Sequence, residues 1–117
     1  MIERTRGTSP GRNISSAYKD LVWSVATASD ESLDLAGQTS QTLKILEKNL
    51  AELGSDKTRM VSAQVFISNM AQKSDMDAVW RDWIGNNPEN WPQRACLGVE
   101  LEGKCLIEVT VTAVRQF

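Results

Sequence analysis

The run Ile107-Glu108-Val109-Thr110-Val111-Thr112-Ala113 alternates apolar and polar residues without a break. Side chains along a strand point to opposite faces, so this pattern demands a sheet with one apolar face that something must cover. Met60 to Asn69 repeats the demand. Val61, Ala63, Val65 and Ile67 alternate there with Ser62, Gln64 and Ser68, and Phe66 interrupts the polar set. Leu21-Val22-Trp23-Ser24-Val25-Ala26 reads as a further, buried strand with little alternation.

The cover is also visible. From about Leu35 to Leu53, the residues Leu43, Leu46, Leu50 and Leu53 recur at spacings of three and four, which places them on one helical stripe. Asp34 suits the N-cap and Gly54 the position past the C-terminus. Lys44, Glu47, Lys48 and Glu52 form the opposite, solvated face. A second helix opens at Ser74-Asp75-Met76-Asp77, carries Met76, Val79, Trp80 and Trp83 on its apolar side, and ends before Gly85-Asn86-Asn87-Pro88. The stretch through Gly7-Thr8-Ser9-Pro10-Gly11 is turn-rich.

The last third reads as a hairpin. Ala95, Leu97, Val99 and Leu101 share one face, and Ile107, Val109, Val111 and Ala113 share one face of the next strand. A connection through Glu102-Gly103-Lys104 brings the two sets to the same core, pairing Leu101 with Cys105 and Val99 with Ile107. The order strand(s), helix, strand, helix, strand, strand predicts an α+β domain over 1–117: a mixed sheet with two helices on one face. The other face is expected to carry Arg94, Cys96, Gly98, Leu106, Glu108, Thr110 and Thr112. That set is too mixed for a solvent face and is expected to meet other subunits.

Composition narrows the chemistry. The 117 residues contain no histidine and two cysteines, Cys96 and Cys105. Ser-His-Asp and Cys-His sites, His-based zinc and a disulfide framework are therefore excluded. The formal charge of −2 lacks the basic footprint of a nucleic-acid binder. No apolar run approaches the roughly 20 residues of a membrane span, and Met1-Ile2-Glu3-Arg4-Thr5-Arg6 does not resemble a secretory leader. A soluble cytoplasmic protein without nucleic-acid or membrane partners is the expectation.

Trp91-Pro92-Gln93-Arg94-Ala95-Cys96-Leu97 resembles the P-x-R-[SA]-C/T-V segment of the YjgF/RidA family, the reactive intermediate deaminases. Leu106 to Val114 is similar to that family's closing V-x-I-E-I-x-A-I-A strand. Gln38 to Leu46 followed by Leu50-Ala51-Glu52-Leu53-Gly54 resembles its first helix. Val65-Phe66-Ile67 and Asp75-Met76 resemble its central strand and the start of its second helix. The collinear matches span about residues 10 to 115. Two departures stand out: Ser24-Val25-Ala26 replaces the family's Ser-Gly-Gln, and Glu102-Gly103 replaces its Leu-Pro. The resemblance implies a chorismate-mutase-like fold and a homotrimer with clefts between subunits. It further implies cofactor-free hydrolysis of 2-imino or 2-aminoacrylate-type intermediates to 2-keto acids and ammonia.

It also marks the candidate site. Arg94 matches the family's carboxylate-binding arginine, and its planar guanidinium suits bidentate grip of a small carboxylate or imino acid. Glu108 matches the first glutamate of the closing strand, where a carboxylate can orient or deprotonate a water. In the hairpin pairing Glu108 lies opposite Gly98, on the same face as Arg94 and roughly 13 Å away at about 3.3 Å per residue. Cys96 is placed along the cleft, Trp91 at its wall, Arg12 over it and Ser24 on the early strand. Each has a plainer alternative. Arg94 and Glu108 can serve ion pairs at an interface, Cys96 can be a small buried residue, and Trp91 can be interface packing. Two further functions compete with the deaminase: a non-catalytic binder of small carboxylate metabolites, and a nuclease, which the acidic balance and missing histidine disfavour.

Overall fold

The computed structural model describes residues 1–115. Six strands form one sheet, β1 (Glu3–Arg6), β2 (Asn13–Tyr18), β3 (Leu21–Thr27), β4 (Met60–Ile67), β5 (Gln93–Gly98) and β6 (Ile107–Val114), in the order β1-β2-β3-β6-β4-β5. Two helices, α1 (Leu35–Glu52) and α2 (Lys73–Ile84), pack together over one face. The sheet is mixed, because β4 and β5 run parallel and the other neighbours are antiparallel.

The alternating strands behave as their sequences demand except at Val61, which is 52% exposed because a register shift between Met60 and Ser62 buries Met60 in its place. Val22 and Ala26 of β3, Ala63, Val65 and Ile67 of β4, and Ile107, Val109, Val111 and Ala113 of β6 are buried beneath the helices. Leu43, Leu46 and Leu50 of α1 meet them, at 1%, 0% and 0% exposure. Each such leucine contributes about 1.5–3 kcal/mol relative to an exposed side chain. Met76 and Trp80 anchor α2, with Val79 and Trp83 packed at its margin. Asp34 caps α1 by accepting from the Gly37 amide at 2.9 Å. Gly54 takes φ +82° just past the helix, a conformation that side chains with a Cβ disfavour. The charged face of α1 is not wholly solvated: Glu47 accepts from the Trp83 indole at 2.5 Å and pairs with Lys57 at 3.3 Å.

The turn-rich N-terminal stretch is the bend of a hairpin, β1–β2, whose strands complete one end of the sheet. The C-terminal hairpin does not form. β5 pairs in parallel with β4, register Ala63 to Arg94, Val65 to Cys96 and Ile67 to Gly98, while β6 lies on the other flank of β4. Neither Leu101–Cys105 nor Val99–Ile107 is a pair, and residues 99–106 are a crossing loop rather than a tight turn. Ala95, Leu97 and Val99 do not face the core. Ala95 is exposed, and Leu97 and Val99 are 43% and 37% exposed. Arg94, Cys96 and Gly98 instead share the face of buried Ala63, Val65 and Ile67.

The crossing loop is tied to the start of α1 by the buried amide of Gln38. Its Nε2 donates to the carbonyls of Glu31, Leu33 and Lys104 at 3.3, 3.1 and 3.1 Å, and its Oε1 accepts from the Leu106 amide at 2.9 Å. Glu31 adds a bond from the Lys104 amide at 3.0 Å. Gly103 bends the loop with φ +61°. The uncovered face of the sheet carries Trp23 (39% exposed), Gln64, Phe66, Leu97, Glu108, Thr110 and Thr112.

Candidate functional site

Arg94 enters from β5, whose outer side has no strand partner among the described residues. Facing the helix layer puts its side chain against α2. The guanidinium Nη2 donates to Asp77 Oδ1 at 2.8 Å, and its Nη1 approaches the Met76 sulfur at 3.8 Å. Its carbon stands 5.1 Å from the centre of the Trp80 ring, within cation–π range. Lys73 reaches the second oxygen of the same carboxylate, Oδ2, at 2.7 Å. That contact follows from sequence, because residues four apart share a helix face.

Two cations therefore share one carboxylate, and the cluster keeps a net positive charge. Burial pushes the Asp77 carboxyl up, but the hydrogen bonds and charges of Lys73 and Arg94 outweigh it and hold the group below its ordinary value. A guanidinium offers five N–H donors, and Asp77 and Met76 engage only part of that fork. Cys96, two residues along the same face, is half-buried. Burial raises its thiol pKa against the pull of Lys73 and Arg94, which keeps it a thiol near neutrality rather than a nucleophilic thiolate. Cys105 is likewise raised, chiefly by burial, and its S–H donates to the Ile107 carbonyl at 3.3 Å.

Glu108 lies elsewhere. It pairs with Thr27 on one side and Phe66 on the other, on the uncovered face. The predicted pairing with Gly98 is absent, because Gly98 pairs with Ile67 and β4 separates the two strands. Arg94 and Glu108 of one chain thus face opposite sides of the sheet. Glu108 lines a cleft of about 550 Å³ with Arg12, Asn13, Asn49 and Glu102. Arg12 is exposed on the β1–β2 bend, where its Nη2 donates to Ser9 Oγ at 3.3 Å.

The structure thus places Arg12 and Glu108 along one cleft and Cys96 beside Arg94, but it does not join the two groups within a chain. Trp91 stands at the entry to β5, 51% exposed, with its indole N–H on the Gly85 carbonyl at 2.9 Å. Ser24 is in the core. Its hydroxyl lies 2.8 Å from Ser15 Oγ, accepts from Asn49 Nδ2 at 3.1 Å and donates to the Ile14 carbonyl at 3.3 Å. Those bonds engage the hydroxyl, and Ser24 also lines a cleft with Arg12, Trp23 and Thr110. Asp77, Lys73 and Trp80 were not singled out from the sequence as site residues. The i, i+4 spacing of Lys73 and Asp77 was the only signal, and it does not reveal that Arg94 joins them.

Residues 23–115 match the family model described as Endoribonuclease L-PSP. The chain belongs to this family. Within it, a RutC family protein of Haemophilus ducreyi is 36% identical over 85 residues, covering 72% of this chain and 71% of the relative. A YjgF-family structure from Neisseria meningitidis aligns with a TM-score of 0.89 at 27% identity, over 100% of this chain and 97% of its own. An uncharacterised Pseudomonas aeruginosa protein aligns at 0.88 and 25% identity, over 99% and 100%. The YjgF/RidA resemblance of the closing strands is thereby confirmed at the level of family and fold. Among the described residues, no helix is long and apolar enough to cross a membrane.

Proposed function

We propose that this YjgF/RidA-family chain hydrolyses small 2-imino acids to 2-keto acids and ammonia, in clefts completed by neighbouring copies of a homotrimer. The observation that carries the reading is the Lys73–Asp77–Arg94 cluster: two cations against one carboxylate, at a sheet edge, with unused guanidinium donors. Such a cluster attracts a substrate carboxylate, and the fork of Arg94 orients it. Glu108 of an adjacent copy then supplies the acid–base group that the same chain holds on its other face. The half-apolar uncovered face, with Trp23, Phe66 and Leu97, supports packing against other copies.

In this reading Arg94 fixes the carboxylate, and a main-chain carbonyl or hydroxyl holds the imine nitrogen. A water oriented by Glu108 adds to the imine carbon. The resulting carbinolamine expels ammonia and leaves the keto acid. Imines already react with water, so orientation and electrostatics supply most of the acceleration. No organic cofactor or metal takes part in these steps. The family's endoribonuclease name points to RNA cleavage, but a net charge of −2 and the absence of histidine favour the small-anion reading.

The test generates 2-iminopropionate or 2-iminobutyrate with an amino acid oxidase and follows keto-acid appearance. The native protein accelerates it, and Arg94→Ala abolishes the acceleration while the fold persists. Equal rates with and without Arg94 overturn the reading. One observation favours a second reading, a non-catalytic carboxylate binder: within a chain Arg94 is already paired to Asp77 and faces away from Glu108. Stoichiometric keto-acid binding without imine turnover selects it.

A further inference from the structure

Asp77 is the one carboxylate bonded to Arg94 among the described residues, and it is bonded in the manner a ligand's carboxylate would be. It sits on α2 and the arginine on β5, so the contact joins a helix to the edge strand of the sheet. Its second oxygen is held independently by Lys73 at 2.7 Å. Losing Arg94 would therefore not strand Asp77 as an unpaired charge, the state that makes breaking most half-buried ion pairs costly. Arg94 keeps the Trp80 face beside it whether or not Asp77 remains its partner.

We propose that Asp77 is an internal competitor that sets the affinity of the Arg94 site: a ligand's carboxylate displaces it from the guanidinium while Lys73 retains it. The inference rests on the anion-binding half of the reading above and not on its chemistry. It names the ligand class as a monocarboxylate able to outbid an aspartate already in place. It also makes weak binding of simple carboxylates a built-in property. Removing the competitor's charge leaves both cations free for the incoming anion, so binding tightens. A residue that merely positioned Arg94 would have the opposite effect when neutralised.

The test titrates the native protein, Asp77→Asn, Arg94→Ala and the double variant with 2-oxobutyrate, following binding by calorimetry and the fold by circular dichroism. Asp77→Asn is expected to lower Kd about fivefold or more, the scale of one partly exposed ion pair to a charged group. The gain must vanish in the Arg94→Ala background, which a general charge effect would not require. Asp77→Ser serves if the amide variant folds poorly. Unchanged or weaker binding in both neutral variants overturns the proposal, as does the absence of binding in every form. If Asp77→Asn tightens binding but no form hydrolyses imines, the competitor stands and the deaminase falls. If imine turnover depends on Arg94 but neutralising Asp77 does not tighten binding, the deaminase stands and the competitor falls.

Discussion

Arg94 and Glu108 occupy opposite faces of one sheet, with β4 running between their strands. A site using both therefore takes them from different chains. Arg94→Ala and Glu108→Gln are each expected to abolish imine hydrolysis. Mixed and refolded together, they restore up to about a quarter of native activity, because random assembly pairs the intact arginine of one copy with the intact glutamate of the next at that frequency. Activity that stays at zero in the mixture, with assembly intact, rules out a site divided in this way.

Ser24→Ala tests the core role that the structure gives this residue. The substitution removes an acceptor for Asn49 Nδ2 and the partner of Ser15 Oγ, both beneath α1. Stability is expected to fall by about 1–3 kcal/mol in urea unfolding, the cost of leaving buried polar groups unpaired. The double variant Ser24→Ala/Asn49→Ala should lose less than the sum of the singles, since both act in one network.

Most of the fold was legible because period is a strong signal. The stripe Leu43, Leu46, Leu50 and the alternation Ile107 to Ala113 each admit one placement against a core. The alternation of residues 95–101 does not. Ala95, Leu97 and Val99 are apolar, yet they stand on the uncovered face, and the core side of β5 carries Arg94, Cys96 and Gly98. Local pattern favours the hairpin. The parallel pairing with β4 wins because α2 packs beside β5 and gives the arginine a carboxylate and an indole face, partners far apart in sequence. Arg94, Cys96 and Glu108 were legible as candidates from motif resemblance. Asp77 was not, since nothing in a linear chain shows that residue 77 will meet residue 94.

The Asp77 pairing also predicts a pH response. Its carboxyl is held below the ordinary value, so the folded state binds its proton less readily than the unfolded chain does. The pairing's contribution to stability is then complete above about pH 4, the ordinary carboxylate range, and is lost as pH falls through the lower folded value. Asp77→Asn is expected to be less stable than the native protein by about 1–2 kcal/mol at pH 6. The gap should narrow toward pH 3 in matched denaturant titrations. A gap that is constant from pH 6 to pH 3 would mean that the charge of Asp77 does not contribute.

Gln38 offers the sharpest test of what holds the crossing loop. Its amide is wholly buried, and it serves three carbonyls and one N–H, from Glu31, Leu33, Lys104 and Leu106. No apolar side chain replaces those bonds, so Gln38→Ala leaves several backbone groups unpaired as well as a cavity. The expected cost is about 2–4 kcal/mol, read by chemical unfolding. Hydrogen exchange locates the effect. The Leu106 amide, whose acceptor is the Gln38 side chain, should lose protection well beyond the global change, whereas the Val111 amide, within the β3–β6–β4 ladder, should change only as far as global stability does. Equal losses at the two positions would show that the loop is held by packing of Leu106 against the core and not by the amide.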